Sequence, residues 1–192
     1  METNPFEPSE AEETARHFVQ VWAEAVIRQA ERTRAIRKKD AVDSRNYDRN
    51  EEWSPDESQL AANYRVLWAE EHTLVWSAYQ LEQWRSRLAE ERGGSMPPQN
   101  QSLKLARDAL EHLSEARLEG DAAMPPSDKG PKGRALRDFP NKMLSLSLGG
   151  RRLFEILDPR ELDEEALKVV KSIEKELDDW TQAAYEELMR DR

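Results

Sequence analysis

Cysteine is absent from all 192 residues, which excludes disulfides, thiolate metal sites and thiol nucleophiles together. Glycine occurs only seven times, few for a chain built from short strands and tight turns. No apolar stretch approaches the roughly 18 uninterrupted residues needed to span a bilayer. The start, Met1 to Pro8, is acidic and carries no apolar segment of a signal peptide, so none is expected. Histidine occurs three times, and no H-x-x-x-H or E-x-x-H pair faces a common core, so neither a metal nor a cofactor is expected. A G-x-S-x-G elbow is missing too, which argues against a serine hydrolase of the strand–turn–helix kind. These absences point to a soluble protein of a reducing cytoplasm, with no membrane association.

What is present is charge and helical period. Charged residues make up 35% of the chain and hydrophobic ones 38%, a balance typical of long helices packed as a single domain over residues 1–192. The net charge of −10 opposes nonspecific binding to nucleic acid over the whole surface. Basic groups nevertheless gather locally. Residues 128–152 carry Lys129, Lys132, Arg134, Arg137, Lys142, Arg151 and Arg152 against Asp128 and Asp138, and residues 28–39 carry six basic groups against Glu31. Cations late in a helix also complement its dipole, so both runs have a plain structural reading beside the polyanion-binding one.

Ser9 followed by Glu12 has the form of a capping box, and Phe18, Val21, Trp22, Ala25, Val26 and Gln29 keep helical spacing to about Lys39. Residues 40–54 are polar and aperiodic and read as a surface loop. Ser54-Pro55 then reads as the start of a helix running to Arg92 and stopped by Gly93-Gly94. Its stripe, Leu60, Tyr64, Leu67, Glu71, Leu74, Ala78, Leu81 and Leu88, places a carboxylate among apolar neighbours. A buried carboxylate needs a cation or donors. Glu71 therefore lies at a wet end, pairs with a structural arginine, or orients an active-site Arg or His.

A third helix is expected from Gln101 to Glu119, and a long basic loop over 121–141, where four of the ten prolines fall. Leu144, Leu146 and Leu148 alternate before Gly149-Gly150, so residues 144–157 read as a β-hairpin. Asp158-Pro159 opens a last helix through Leu167, Val170, Ile173, Leu177, Trp180, Ala184 and Leu188. The expected fold is mainly α: a four-helix up-and-down bundle with a small β-hairpin before the last helix.

Residues 107–112, Arg-Asp-Ala-Leu-Glu-His, concentrate the chemistry. With Leu110 at the centre of the core face, Arg107 projects at about 60°, Glu111 at about 100°, Asp108 at about 160° and His112 at about 200°. The four polar side chains thus form a patch turned away from the bundle's own core. Arg107–Glu111 and Asp108–His112 are also i,i+4 pairs, each worth about 0.3–0.5 kcal/mol on an exposed face. Of the other histidines, His17 reads as a surface residue and His72, between Trp68 and Trp76, as a packed one. Arg65 and His72 repeat a comparable spacing.

Arg107, Asp108 and Glu111-His112, late in a helical bundle and preceded by the long helix Leu67–Glu82, resemble the signature of the HEPN superfamily (higher eukaryotes and prokaryotes nucleotide-binding) over roughly residues 55–190. The resemblance implies a homodimer in which two Arg–His motifs face each other across a cleft. Many members are metal-independent endoribonucleases of toxin or phage-defence type, often beside a nucleotidyltransferase antitoxin; others are inactive binding modules. Arg107, Asp108 and His112 would then be catalytic, with Glu71 and Glu111 supporting them. Lys129, Lys132, Arg134, Arg137, Arg151 and Arg152 would be RNA contacts. His112 would move protons, and Arg107 would grip a phosphate bidentately. Because side chains at i and i+5 diverge on one helix, the mechanism requires a second copy of the chain. The alternative is a non-catalytic helical module that uses the same patch for dimerisation or partner binding.

Overall fold

The computed structural model describes residues 8–127 and 129–190. The acidic stretch 1–7, on which the reading against a leader mostly rests, lies outside them. The fold is mainly α, with a small antiparallel sheet ahead of the last helix. The elements are α1 (Glu10–Asp48), α2 (Glu57–Glu91), α3 (Gln101–Glu111), β1 (Arg117–Glu119), β2 (Ala122–Met124), the short α4 (Arg134–Asp138), β3 (Leu144–Ser145) and α5 (Pro159–Arg190). Among the described residues no helix is long and apolar enough to cross a membrane.

Helix α1 starts where Ser9 and Glu12 place it, the Ser9 hydroxyl accepting the Glu12 N–H at 3.0 Å. It does not stop near Lys39. Lys39 Nζ lies 2.6 Å from Asp43 Oδ2 one turn on and 2.8 Å from Asn63 on α2, whose amide also donates to Asp43 at 2.7 Å. This polar seam supplies helical spacing where apolar spacing runs out, so 40–48 is helix and the expected loop shrinks to 49–56. The N-cap of α2 is Asp56, not Ser54. Asp56 forms a complete capping box with Gln59, while the Ser54 hydroxyl donates to the Asn46 carbonyl at 2.7 Å. Gly93, at φ 61°, closes the helix, and the Gly94 N–H returns to the Ala89 carbonyl at 2.8 Å.

The helices alternate in direction. Glu12 meets Arg92 at one end of the α1–α2 pair and Lys39 meets Asn63 at the other. Helix α5 runs back along α1, from Arg34–Asp163 to Arg16–Glu176. Helix α3 runs against α2, from Glu82–Asn100 to Trp76–Arg107. The α1 face in the core is Ala15, Val19, Ala23, Val26 and Ala30, set against Leu74, Val75, Ala78, Leu81 and Leu88 of α2. Small residues let the two helices approach closely, and the larger Phe18 and Val21, expected on the stripe, sit on its rim. Phe18 there stacks on Trp84 with ring centroids 4.4 Å apart. Only the first half of α5 is buried, through Leu162, Ala166 and Ile173. Leu167, Leu177 and Trp180 of its expected stripe are exposed, and the side chain of Leu188 is outside the described residues.

The third helix is shorter than expected. It ends at Glu111, His112 caps it, and 117–119 pairs with 122–124 around Gly120-Asp121, with Gly120 at φ 56°. Gly-Asp between two short runs is a hairpin signal, and the buried Ala122 and Ala123 need a core face that a continuing surface helix would not give them. The strands of the expected 144–157 hairpin do not pair with each other. Leu144–Ser145 pairs with β2 instead, and 153–157 closes on itself through one bridge, Leu153–Leu157, with Phe154 and Glu155 at φ 47° and 65°. The carbonyls a second strand would need are taken by side chains. Tyr64 donates to Leu146 O at 2.8 Å, and Arg37 to Gly150 O at 2.8 Å and Arg152 O at 3.4 Å. The alternating apolar residues go into the core, and Phe154 meets Trp68 edge-on at 5.4 Å.

Arg37 also answers the question of Glu71. The carboxylate is only 1% exposed, and Arg37 Nε holds its Oε1 at 2.7 Å, while Oε2 has no donor. Burial pushes the Glu71 carboxyl above its ordinary 4.5, Arg37 pulls it back, and Asp40 adds to the rise. The native state therefore binds the Glu71 proton more tightly than the unfolded chain. Its contribution to stability is complete below about pH 4.5 and declines as pH rises through the raised value. Replacing Arg37 by Ala should cost about 3–5 kcal/mol near neutrality, because it strands a buried charge. In urea titrations that cost should shrink as pH falls through the raised Glu71 value and level off by about 4.5, where Glu71 is protonated in both states; a pH-independent cost would refute this assignment.

Candidate functional site

Helix α3 has two working sides, and they divide the expected patch between them. Asn100 caps the helix, its side chain accepting the Leu103 N–H at 3.0 Å. Leu103, Ala106, Ala109 and Leu110 are buried. That burial turns Arg107 and Glu111 toward α2, and Asp108 and His112 toward the segment that precedes α4.

On the α2 side, Arg107 is a bound group. Its guanidinium lies 4.8 Å from the Tyr79 ring centre and 5.8 Å from that of Trp76, and Nη1 holds Asp108 at 2.8 Å and Glu111 at 2.7 Å. Partial burial weakens its hold on the proton, but Asp108, Glu111 and Tyr79 outweigh that and raise its pKa further, so it stays charged. Buried Nε has no acceptor. Beside it, His72, Thr73, Val75, Trp76, Arg107 and Glu111 outline an apolar hollow of about 290 Å³. Trp76 remains 40% exposed, and His72, expected to be packed, is exposed as well.

On the other side lies a cleft of about 750 Å³ between α3 and residues 131–138. Lys104, Asp108, His112 and Glu115 face Lys132, Arg134 and Asp138 across it. The far wall is an ordered structure, where the sequence suggested a loop. Arg137 donates to the carbonyls of Ser127 at 3.2 Å, Lys132 at 2.9 Å and Gly130, holding those three residues together. Gly133, at φ 65°, is required there, since a Cβ would come within 2.5 Å of Pro126 Cδ. His112 is 56% exposed and lies 3.5 Å from Glu115. The expected Asp108–His112 pair does not form, because the helix ends at Glu111 and His112 takes up φ −101°, ψ 15°.

Several expected placements therefore change. Arg107 and His112 open onto different hollows, because the i to i+5 divergence is compounded by the end of the helix. Glu71 supports Arg37 and neither member of the pair. Of the six basic residues read as RNA contacts, Lys132 and Arg134 line the cleft. Arg137 is folded inward as a clamp, Lys129 and Arg152 are exposed, and Arg151 lines a separate hollow near the start of α5. Tyr79 and Lys104 belong to the two sites and were missed. Tyr79, one turn beyond Trp76 and off the Leu67–Leu74 stripe, was the available signal for an aromatic seat on α2. Among the described residues no three His, Asp or Glu side chains gather as metal ligands.

Comparison with protein-family models, with curated proteins and with solved structures gives no match in any of the three.

Since Arg107 is seated on two rings and two carboxylates whereas His112 is a solvated cap, Arg107→Ala should destabilise the fold by about 1–2 kcal/mol. His112→Ala should stay within about 0.5 kcal/mol of the parent. Chemical denaturation followed by tryptophan fluorescence distinguishes them, and equal effects would contradict the two placements.

Proposed function

We propose that the chain is a non-catalytic helical dimerisation module that pairs with a second copy through the α2–α3 face around Trp76. This is the inactive branch of the HEPN resemblance. The observation that carries it is the seating of Arg107: an Arg committed to Trp76, Tyr79, Asp108 and Glu111 is held as an interface anchor, not left free to close on a phosphate. A half-exposed Trp beside an Arg, with a polar rim of His72 and Glu111, has the composition of a binding hot spot. A two-fold axis through this face would set Arg107 of one protomer against Glu111 of the other, so the surface is self-complementary in charge.

A second reading rests on a different observation: His112, Asp108, Lys132 and Arg134 share the 750 Å³ cleft. An imidazole, a carboxylate and two cations could cleave RNA without a metal, as in an endoribonuclease toxin, and without Arg107.

Sedimentation velocity tests the first reading. The parent should sediment as a dimer, Trp76→Glu as a folded monomer, and His112→Ala as a dimer. A monomeric parent would overturn the proposal. Incubated with RNA at high protein concentration, the chain should leave it intact; cleavage lost in His112→Ala but kept in Arg107→Ala would instead establish the second reading.

A further inference from the structure

We propose a phosphoryl-binding site in the hollow of about 280 Å³ between the Ala30–Arg37 stretch of α1, the turn at 149–152 and the first residues of α5. Four arginines line it: Arg34 and Arg37 from α1, Arg151 from the turn and Arg160 from α5. This goes beyond the dimer reading and does not depend on it, since the hollow lies away from the α2–α3 face and is complete within one chain.

The four arginines divide into supports and free ligands. Arg37 is committed to Glu71 and to the carbonyls of Gly150 and Arg152. Those two carbonyls flank Arg151, so the residue between them is carried on a backbone fixed on both sides. Arg34 spends one nitrogen on Asp163 at 2.7 Å and keeps its remaining donors. Among the described residues, neither Arg151 nor Arg160 has a carboxylate partner within ion-pairing distance. Ala30 and Thr33, both buried, close the floor.

One carboxylate, Asp158, also lines the hollow, and it accepts the Arg160 backbone N–H at 2.9 Å. At the start of α5, Pro159 has no N–H and that of Arg160 is taken by Asp158. The attraction comes from the side chains. Among the lining residues, with Arg37 and Arg34 balanced by Glu71 and Asp163, Arg151 and Arg160 outweigh Asp158 and leave a positive excess, while Asp40 lies close by at the Gly149 turn. Guanidinium forks match tetrahedral oxyanions through paired N–H groups, and several forks around one small hollow favour a doubly charged phosphoryl group over chloride or a lone carboxylate. The hollow holds that group, either as free phosphate or as the terminal phosphate of an ester.

Isothermal titration with inorganic phosphate and with a nucleoside 5′-monophosphate, at fixed ionic strength with chloride as the balancing anion, tests the site. The parent should bind one equivalent saturably. Equal affinities would assign the free ion, and tighter binding of the nucleotide would assign the ester. Arg151→Ala with Arg160→Ala should weaken binding by about tenfold or more, the effect of losing hydrogen bonds to a charged group. Lys175→Ala, about four turns farther along α5, should leave it unchanged. No saturable binding by the parent, or the same affinity after loss of Arg151 and Arg160, would overturn the proposal.

Discussion

The Arg37–Glu71 pair is the contact on which much of the remaining architecture depends. It joins α1 to α2 inside the core, and the same guanidinium reaches the carbonyls of Gly150 and Arg152, so three parts of the chain distant in sequence meet at one side chain. A buried ion pair adds little net stability over a well-packed apolar pair, but removing one partner is costly. Its effect here is on geometry. It fixes the turn at 149–152 and leads the chain through Leu153–Leu157 into α5, which then runs along α1 by way of Arg34–Asp163.

The same logic of arginines used as clamps recurs elsewhere. Arg137 gathers three carbonyls and makes the wall of the α3 cleft from a segment rich in proline and glycine. Arg92 ties Glu12 of α1 to Glu176 of α5 at the opposite end of the bundle. Arg107 fixes α3 to the rings of α2. A chain so rich in charge thus spends much of its basic content on internal order, and the clusters of cations visible in the sequence are not one continuous surface for a polyanion. Among the described residues, the cations that line a hollow without a carboxylate partner are local: Lys104, Lys132 and Arg134 in one, Arg151 and Arg160 in another.

Much of the helical frame was legible in the sequence, because apolar period and caps act over short distances. Ser9, Gly93-Gly94, Gln101 and Pro159 mark ends that the structure keeps within a residue or two. Two of the misreadings, the loop at 40–54 and the hairpin at 144–157, share one cause, which is that partners distant in sequence replaced local pairing. Asn63 extends α1 through 40–48, and Tyr64 and Arg37 take the carbonyls that a 144–157 hairpin would have used. In the candidate site the Arg107–Glu111 pair was legible as an i,i+4 contact. The projection failed at His112, since a helical wheel assumes a helix and α3 ends one residue earlier. The aromatic seat under Arg107 lies on another helix, and spacing within residues 101–119 carries no trace of it.

The central claim, that the α2–α3 face meets its own copy with Arg107 opposite Glu111, is tested most directly by a charge exchange. Arg107→Glu and Glu111→Arg chains, each shown to be folded by circular dichroism, would be studied separately and mixed in equal amounts by sedimentation velocity. Each alone should remain monomeric, because like charges meet across the axis, and the mixture should form a heterodimer in which one pair is the original and the other is restored in reverse. Dimers formed by either variant alone, or a mixture that stays monomeric, would contradict the account.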